Sequence, residues 1–146
     1  MAPTRIAFGL AAALWVVWGL VHLFAGVMTM IQPAQEAFPM IADATDPALF
    51  QLDYPAAVGA ILNQHGWNLA WIGLTTLGCA PFVFRGVGPA IFLAALTGGM
   101  ADIGYFLFLD LGGHVHFVPG TVMTLFSGTA VVVSAAAWAA ERRAPA

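Results

Sequence analysis

The chain has 146 residues, of which 61% are hydrophobic and 8% charged, with a net charge of −3. A soluble domain carries about 25% charged residues, and a chain this short has too much surface for its volume to hide so many apolar side chains from water. A bilayer removes that conflict. The only strongly basic side chains are four arginines and the balance is acidic, which excludes nucleic acid as a partner. The single cysteine, Cys79, excludes an intrachain disulfide and a cysteine-rich metal site.

From the N-terminus, Met1 to Arg5 followed by apolar residues has the outline of a secretory signal. The apolar run 6–31 is too long for one and contains Trp15, Trp18 and His22. It reads as a mature membrane span. A spanning helix needs about 20 apolar residues, and three more stretches qualify: 58–84, 87–111 and 117–140. The fold class is therefore all-α: one domain, a membrane bundle of four antiparallel helices.

The first connection, 32–57, is long for a bundle, and Pro33, Pro39, Pro47 and Pro55 deny it a long helix. It mixes acids with Phe38, Met40, Ile41, Leu49, Phe50, Leu52 and Tyr54. Two readings fit: an interfacial loop on the headgroups, or a lid over a site in the outer half. The second and third connections, around Arg85-Gly86-Val87-Gly88-Pro89 and Leu111-Gly112-Gly113-His114, are tight turns that place helices in an up-down series. Gly19 and Gly26 in the first span, and Gly98 and Gly99 in the third, let backbones approach closely. Gly120, Thr124, Ser127 and Ser134 make a small, weakly polar stripe on the fourth, read as a helix contact.

Charge sets the orientation. Arg5, Arg85, Arg142 and Arg143 stand at the start of the first span, between the second and third, and after the fourth. With four spans these places share one side, and basic residues mark the cytoplasmic side. Glu36, Asp43, Asp46 and Asp53 lie on the other. Both termini are expected in the cytoplasm.

Ionisable residues inside spans are costly and turn inward or toward water. His22 lies roughly 24 Å along the first span, and Asp102 roughly 24 Å along the third, both toward the outer side. His65 is near the outer start of the second span, with His114 and His116 at the outer turn and Asp110 closing the third span. On the second span His65 and Asn68 are three apart and share a face, with Gln64 beside them. On the third, Asp102 and Tyr105 are three apart, and Phe106 and Asp110 continue the row. The candidate site is thus His22, His65, Asp102 and His116, supported by Gln64, Asn68, Tyr105, Asp110 and His114.

Imidazole with carboxylate is a ligand set for zinc, iron or copper. Two imidazoles on facing helices are a ligand pair for haem. Without a metal the same groups can move protons. Each residue also has a plainer use, as an interhelical hydrogen bond or a polar helix end. Trp15, Trp18, Trp67 and Trp71 read as packing or belt residues. The cofactor is left open between a transition metal, haem and none.

The segments Gly19-Leu20-Val21-His22-Leu23-Phe24-Ala25-Gly26, Gln64-His65-Gly66-Trp67-Asn68, Asp102-Ile103-Gly104-Tyr105 and Pro119-Gly120-Thr121 resemble small four-helix bacterial membrane proteins, the DoxX-like and neighbouring families. The resemblance implies a bacterial cytoplasmic membrane and four spans, and no catalytic role is carried over from it. Three functions remain as expectations. One is a metal- or haem-binding membrane enzyme or redox protein. Another is a non-catalytic subunit of a membrane complex, and the third a proton-coupled carrier. The partners are the lipid bilayer and either a second copy of the chain or a membrane complex.

Overall fold

Hydrocarbon offers no hydrogen bonds, so a crossing backbone must satisfy its own amides, and a helix does so within one segment. The computed structural model describes residues 3–42 and 47–143, and among them there is no strand. Four helices are long and apolar enough to cross a membrane: α1 (Pro3–Ile31), α3 (Ala56–Phe84), α4 (Gly88–Asp110) and α5 (Phe117–Arg143). The chain is a multi-pass membrane protein. A nine-residue helix, α2 (Ala34–Ala42), and a single 3-10 turn, Pro47–Gln51, occupy the first connection. Of its acids, Asp43 and Asp46 lie outside the described residues.

α1 packs most extensively on α3 and then on α5, while α4 lies against α3 and α5. The α1–α3 seam is built on glycine. A Cβ at Gly19 would sit 2.8 Å from the Gly73 carbonyl oxygen, and one at Gly26 would sit 2.5 Å from that of Gly66. Residue numbers fall along α3 as they rise along α1, because Gly9 adjoins Phe84 at the far end of the same seam. Thr29 and Thr76, both fully buried at this seam, donate to the carbonyls of Ala25 (2.7 Å) and Gly73 (2.9 Å) within their own helices. No hydroxyl there is left to pull the helices apart.

Gly98 does something other than admit a backbone. A Cβ there would sit 2.6 Å from the ring of Trp15. The small residue on α4 makes room for a large one on α1, across the centre of the bundle. Phe8, Ala11, Trp15 and Trp18 recur at helical spacing and form the α1 share of the core with Cys79, Val83, Ile91, Ala94, Ala130 and Ala137. Ile6, Leu10, Leu20, Phe24 and Ile31 on α1, with Phe92 on α4 and Val132 on α5, are exposed. In a bilayer such side chains face lipid, where their exposure costs nothing.

α4 is not a uniform α-helix. It widens to π turns at Ala95–Gly99 and Phe106–Asp110, and α5 begins with a kink at Val118 (φ −116°, ψ 126°). Gly113 turns the third connection with φ 69°, and Gly86 ends α3 with φ 75°, both in the region that favours glycine. Around Gly86 the space for a Cβ is bounded by Phe8 and Glu141, and around Gly88 by Trp138. The start of α1, the α3–α4 turn and the end of α5 therefore meet at one end of the bundle. The first connection lies at the other.

Candidate functional site

The site grows from one carboxylate. Asp102 is only 3% exposed although it lies mid-chain in a membrane helix. Its two neighbouring π turns, Ala95–Gly99 before and Phe106–Asp110 after, are a feature frequent at functional sites. Asp102 Oδ2 accepts a 2.6 Å hydrogen bond from Trp18 Nε1 on α1. The Ser127 side chain of α5 stands beside the same carboxyl, with its own hydroxyl donating to the Thr124 carbonyl at 3.1 Å.

Trp18 also carries His22, one helical turn further on. The indole and imidazole rings stack with centroids 3.6 Å apart and planes 17° from parallel. His22 Nδ1 lies 2.8 Å from the Trp18 carbonyl oxygen. A carbonyl can only accept, so Nδ1 carries the hydrogen and donates. In the neutral ring Nε2 is then an acceptor. It faces Asp102 Oδ1 at 3.8 Å, too far for a direct hydrogen bond.

These groups line a cavity that is partly open to the surroundings. His22, His65, Asp102 and Tyr105 are on its wall, together with Val21, Ala25, Leu69 and Met123. Pro119 and Gly120 from the start of α5 join them, and so do Met40 and Ile41 from α2. The first connection thus covers the cavity in part. Stacking of Phe38 on Tyr54, with centroids 5.8 Å apart, ties α2 to the end of that connection. The Tyr54 hydroxyl donating to the Leu49 carbonyl at 2.9 Å holds the end itself folded.

The other candidates lie elsewhere. His116 is exposed with extended backbone (φ −78°, ψ 150°) and is not on the cavity wall. The α5 segment facing the cavity is instead Pro119-Gly120. His114 is exposed and its ring lies over Gly112. Gln64 is exposed. Asn68 accepts a 3.1 Å hydrogen bond from Trp71 Nε1 on the outer surface of α3. Asp110 accepts from the Thr121 hydroxyl, with Thr124 Oγ1 3.5 Å from its other oxygen, so it fastens the end of α4 to the start of α5. The row from Asp102 through Phe106 is not kept: Phe106 is 41% exposed although its N–H still bonds the Asp102 carbonyl, and the helix widens beyond it, between Phe106 and Asp110.

Among the described residues no group of three or more His, Cys, Asp or Glu side chains is gathered as a metal shell requires. What the geometry brings together is a pair, His22 and Asp102, with Trp18 bonded to both. From the sequence Trp18 reads as a packing or belt residue. Two signals pointed further: its i, i+4 relation to His22 on one helix face, and the need of a buried indole N–H for an acceptor. No family model matches the chain, and no curated protein or solved structure matches it either.

Proposed function

We propose that this is a small-molecule-binding membrane protein whose working site is the cavity beneath α2, with His22 and Asp102 as its polar floor. The observation that carries this reading is the arrangement of that floor. A buried carboxylate and an imidazole come from diagonally opposed helices. Both are held by Trp18, and both face a mainly apolar cavity. A mainly apolar cavity with a few converging polar groups is the usual form of a ligand site. A pair that served only to join α1 to α4 would need the Trp18–Asp102 bond alone. It would not need the open volume beside it.

The pair can accept a hydrogen bond or a proton from whatever enters, and it can return it, which admits acid–base work as well as binding. By the rule that basic residues stay inside, the end carrying the four arginines is cytoplasmic. The cavity then belongs to the outer half of a bacterial cytoplasmic membrane. A metal centre on His22, Asp102 and His65 is the competing version of this site.

The test is occupancy. Wild-type protein purified in mild detergent is extracted with organic solvent and analysed by mass spectrometry, alongside Ala25→Phe, which fills the cavity, and Val132→Phe on the lipid face. The expected result is a small molecule that co-purifies with wild type and with Val132→Phe but falls at least about tenfold in Ala25→Phe. The same complement of molecules in all three would overturn the reading. A stoichiometric metal lost in Asp102→Asn would favour the metal version.

A further inference from the structure

With His22 neutral and Asp102 ionised, the two polar atoms that they present to each other are both acceptors. Nδ1 of His22 is committed as a donor to the Trp18 carbonyl, so Nε2 offers a lone pair. Asp102 Oδ2 already receives the Trp18 indole hydrogen, which leaves Oδ1 turned toward Nε2 at 3.8 Å. Two lone pairs at that distance repel unless a hydrogen stands between them. His22 Nε2 accepts no hydrogen bond from the described residues. Ser127 has a single hydrogen, placed on the Thr124 carbonyl, and turning it to Asp102 would still leave Nε2 unserved. The chain's four arginines are at the other end of the bundle, so no arginine is available to bridge the pair.

Apart from His65 and Tyr105, the rest of the wall is mainly apolar: Val21, Ala25, Leu69, Met123 and, from the cover, Met40 and Ile41. We infer that the cavity takes a ligand with an apolar body and a hydrogen-bond-donating head, a hydroxyl or an amine, whose hydrogen bridges His22 Nε2 and Asp102 Oδ1. This rests on the cavity being the working site and adds the chemistry of what it binds. Methionine side chains are flexible and suit an apolar body of varied shape, so selectivity falls on the head. A ligand of the same size without the hydrogen would leave both acceptors unmatched in an apolar site, which is the costly case.

A matched series separates head from body: 4-pentylphenol, 4-pentylanisole and 4-pentylbenzylamine. Each is titrated into wild-type protein in detergent and read by tryptophan fluorescence and thermal shift. Wild type should bind the phenol or the amine at least about tenfold more tightly than the anisole, the discrimination a hydrogen bond to a charged group supplies. Preference for the phenol alone marks a hydroxyl head, and preference for the amine marks a cationic one. His22→Phe keeps a ring to stack on Trp18, and Asp102→Asn keeps an oxygen for its indole hydrogen. Both should retain helicity and bring the preferred ligand to within about threefold of the anisole. Equal binding of all three by wild type, blocked by Ala25→Phe, would overturn the donor-head inference while the cavity stands as a binding site. Preference that survives both His22→Phe and Asp102→Asn would overturn it as well. Binding of the whole series untouched by Ala25→Phe would remove the cavity reading itself. The comparison of phenol with anisole is made on wild-type protein, so it does not depend on any variant folding.

Discussion

Trp18 joins three interactions that depend on one another. Its indole hydrogen goes to Asp102, its ring carries His22, and its carbonyl fixes the His22 tautomer. Trp15 adds an edge-to-face contact with ring centroids 5.7 Å apart, which leaves Trp18 little freedom to turn. Trp18→Phe keeps the stacking surface and removes the hydrogen. It should lower stability in detergent by about 1–3 kcal/mol, the cost of leaving a buried acceptor without its donor. Asp102→Ala in the same chain should cost less than it does in wild type, because the bond is already gone, and the difference is read from a double-mutant cycle. Additive losses would show that the two side chains do not act as a pair. At this scale the expense of Asp102 in lipid was legible from residue type and depth. The partner was not, because tryptophan serves packing, belts and hydrogen bonds alike. His116 was misplaced for a related reason: spacing gives no sign that the backbone before Phe117 runs extended and carries the ring outward.

Among the helices, the α1–α3 seam makes a sharper claim than apolar content does. Gly26 has backbone atoms within 2.5 Å of where a Cβ would stand, Gly73 within 2.7 Å, whereas Gly59, Gly78 and Gly104 have nothing within 4 Å. Gly26→Ala and Gly73→Ala should each destabilise by about 1–3 kcal/mol, since backbone cannot yield as a side-chain tip can. Gly78→Ala and Gly104→Ala should be neutral or stabilising by about 0.5–1 kcal/mol, as helix propensity alone predicts. Thermal unfolding of the four variants in one detergent checks both halves of this. The sequence pointed to Gly19 and Gly26 on α1, and their partners Gly66 and Gly73 became visible only once α3 was in register. The π turns of α4 were not legible: a single wide turn leaves the apolar composition of a span unchanged, yet it alters which residues share a face. The short α2 was hidden by the prolines around it. Pro39 lies inside the helix, which a reading of proline as a breaker does not anticipate.

The molecule as a whole is polarised. One end gathers Arg85 at the α3–α4 turn, the start of α1 and the arginine-bearing end of α5. Arg142 there lies over the Trp138 ring with its guanidinium carbon 4.8 Å from the centroid, and Gly86 adjoins Phe8 and Glu141. The other end carries α2, Glu36 and the cavity. Span count and arginine placement were legible because hydrocarbon thickness and charge cost act on composition, before any packing is known. The same physics makes orientation testable without reference to function. Cys79 is buried, so a Cys79→Ala background removes the native thiol at small cost. Single cysteines at Glu36 and Arg85, both exposed, then report the two ends. In intact bacterial cells a membrane-impermeant maleimide should label Glu36→Cys, and Arg85→Cys only after permeabilisation. The reverse pattern would put the arginines outside and the cavity in the inner half. A ligand would then have to reach it from the cytoplasmic side, and the source of any donor-headed molecule found in the cavity would change with it. Labelling therefore decides which compartment supplies the site, whichever head group the site prefers.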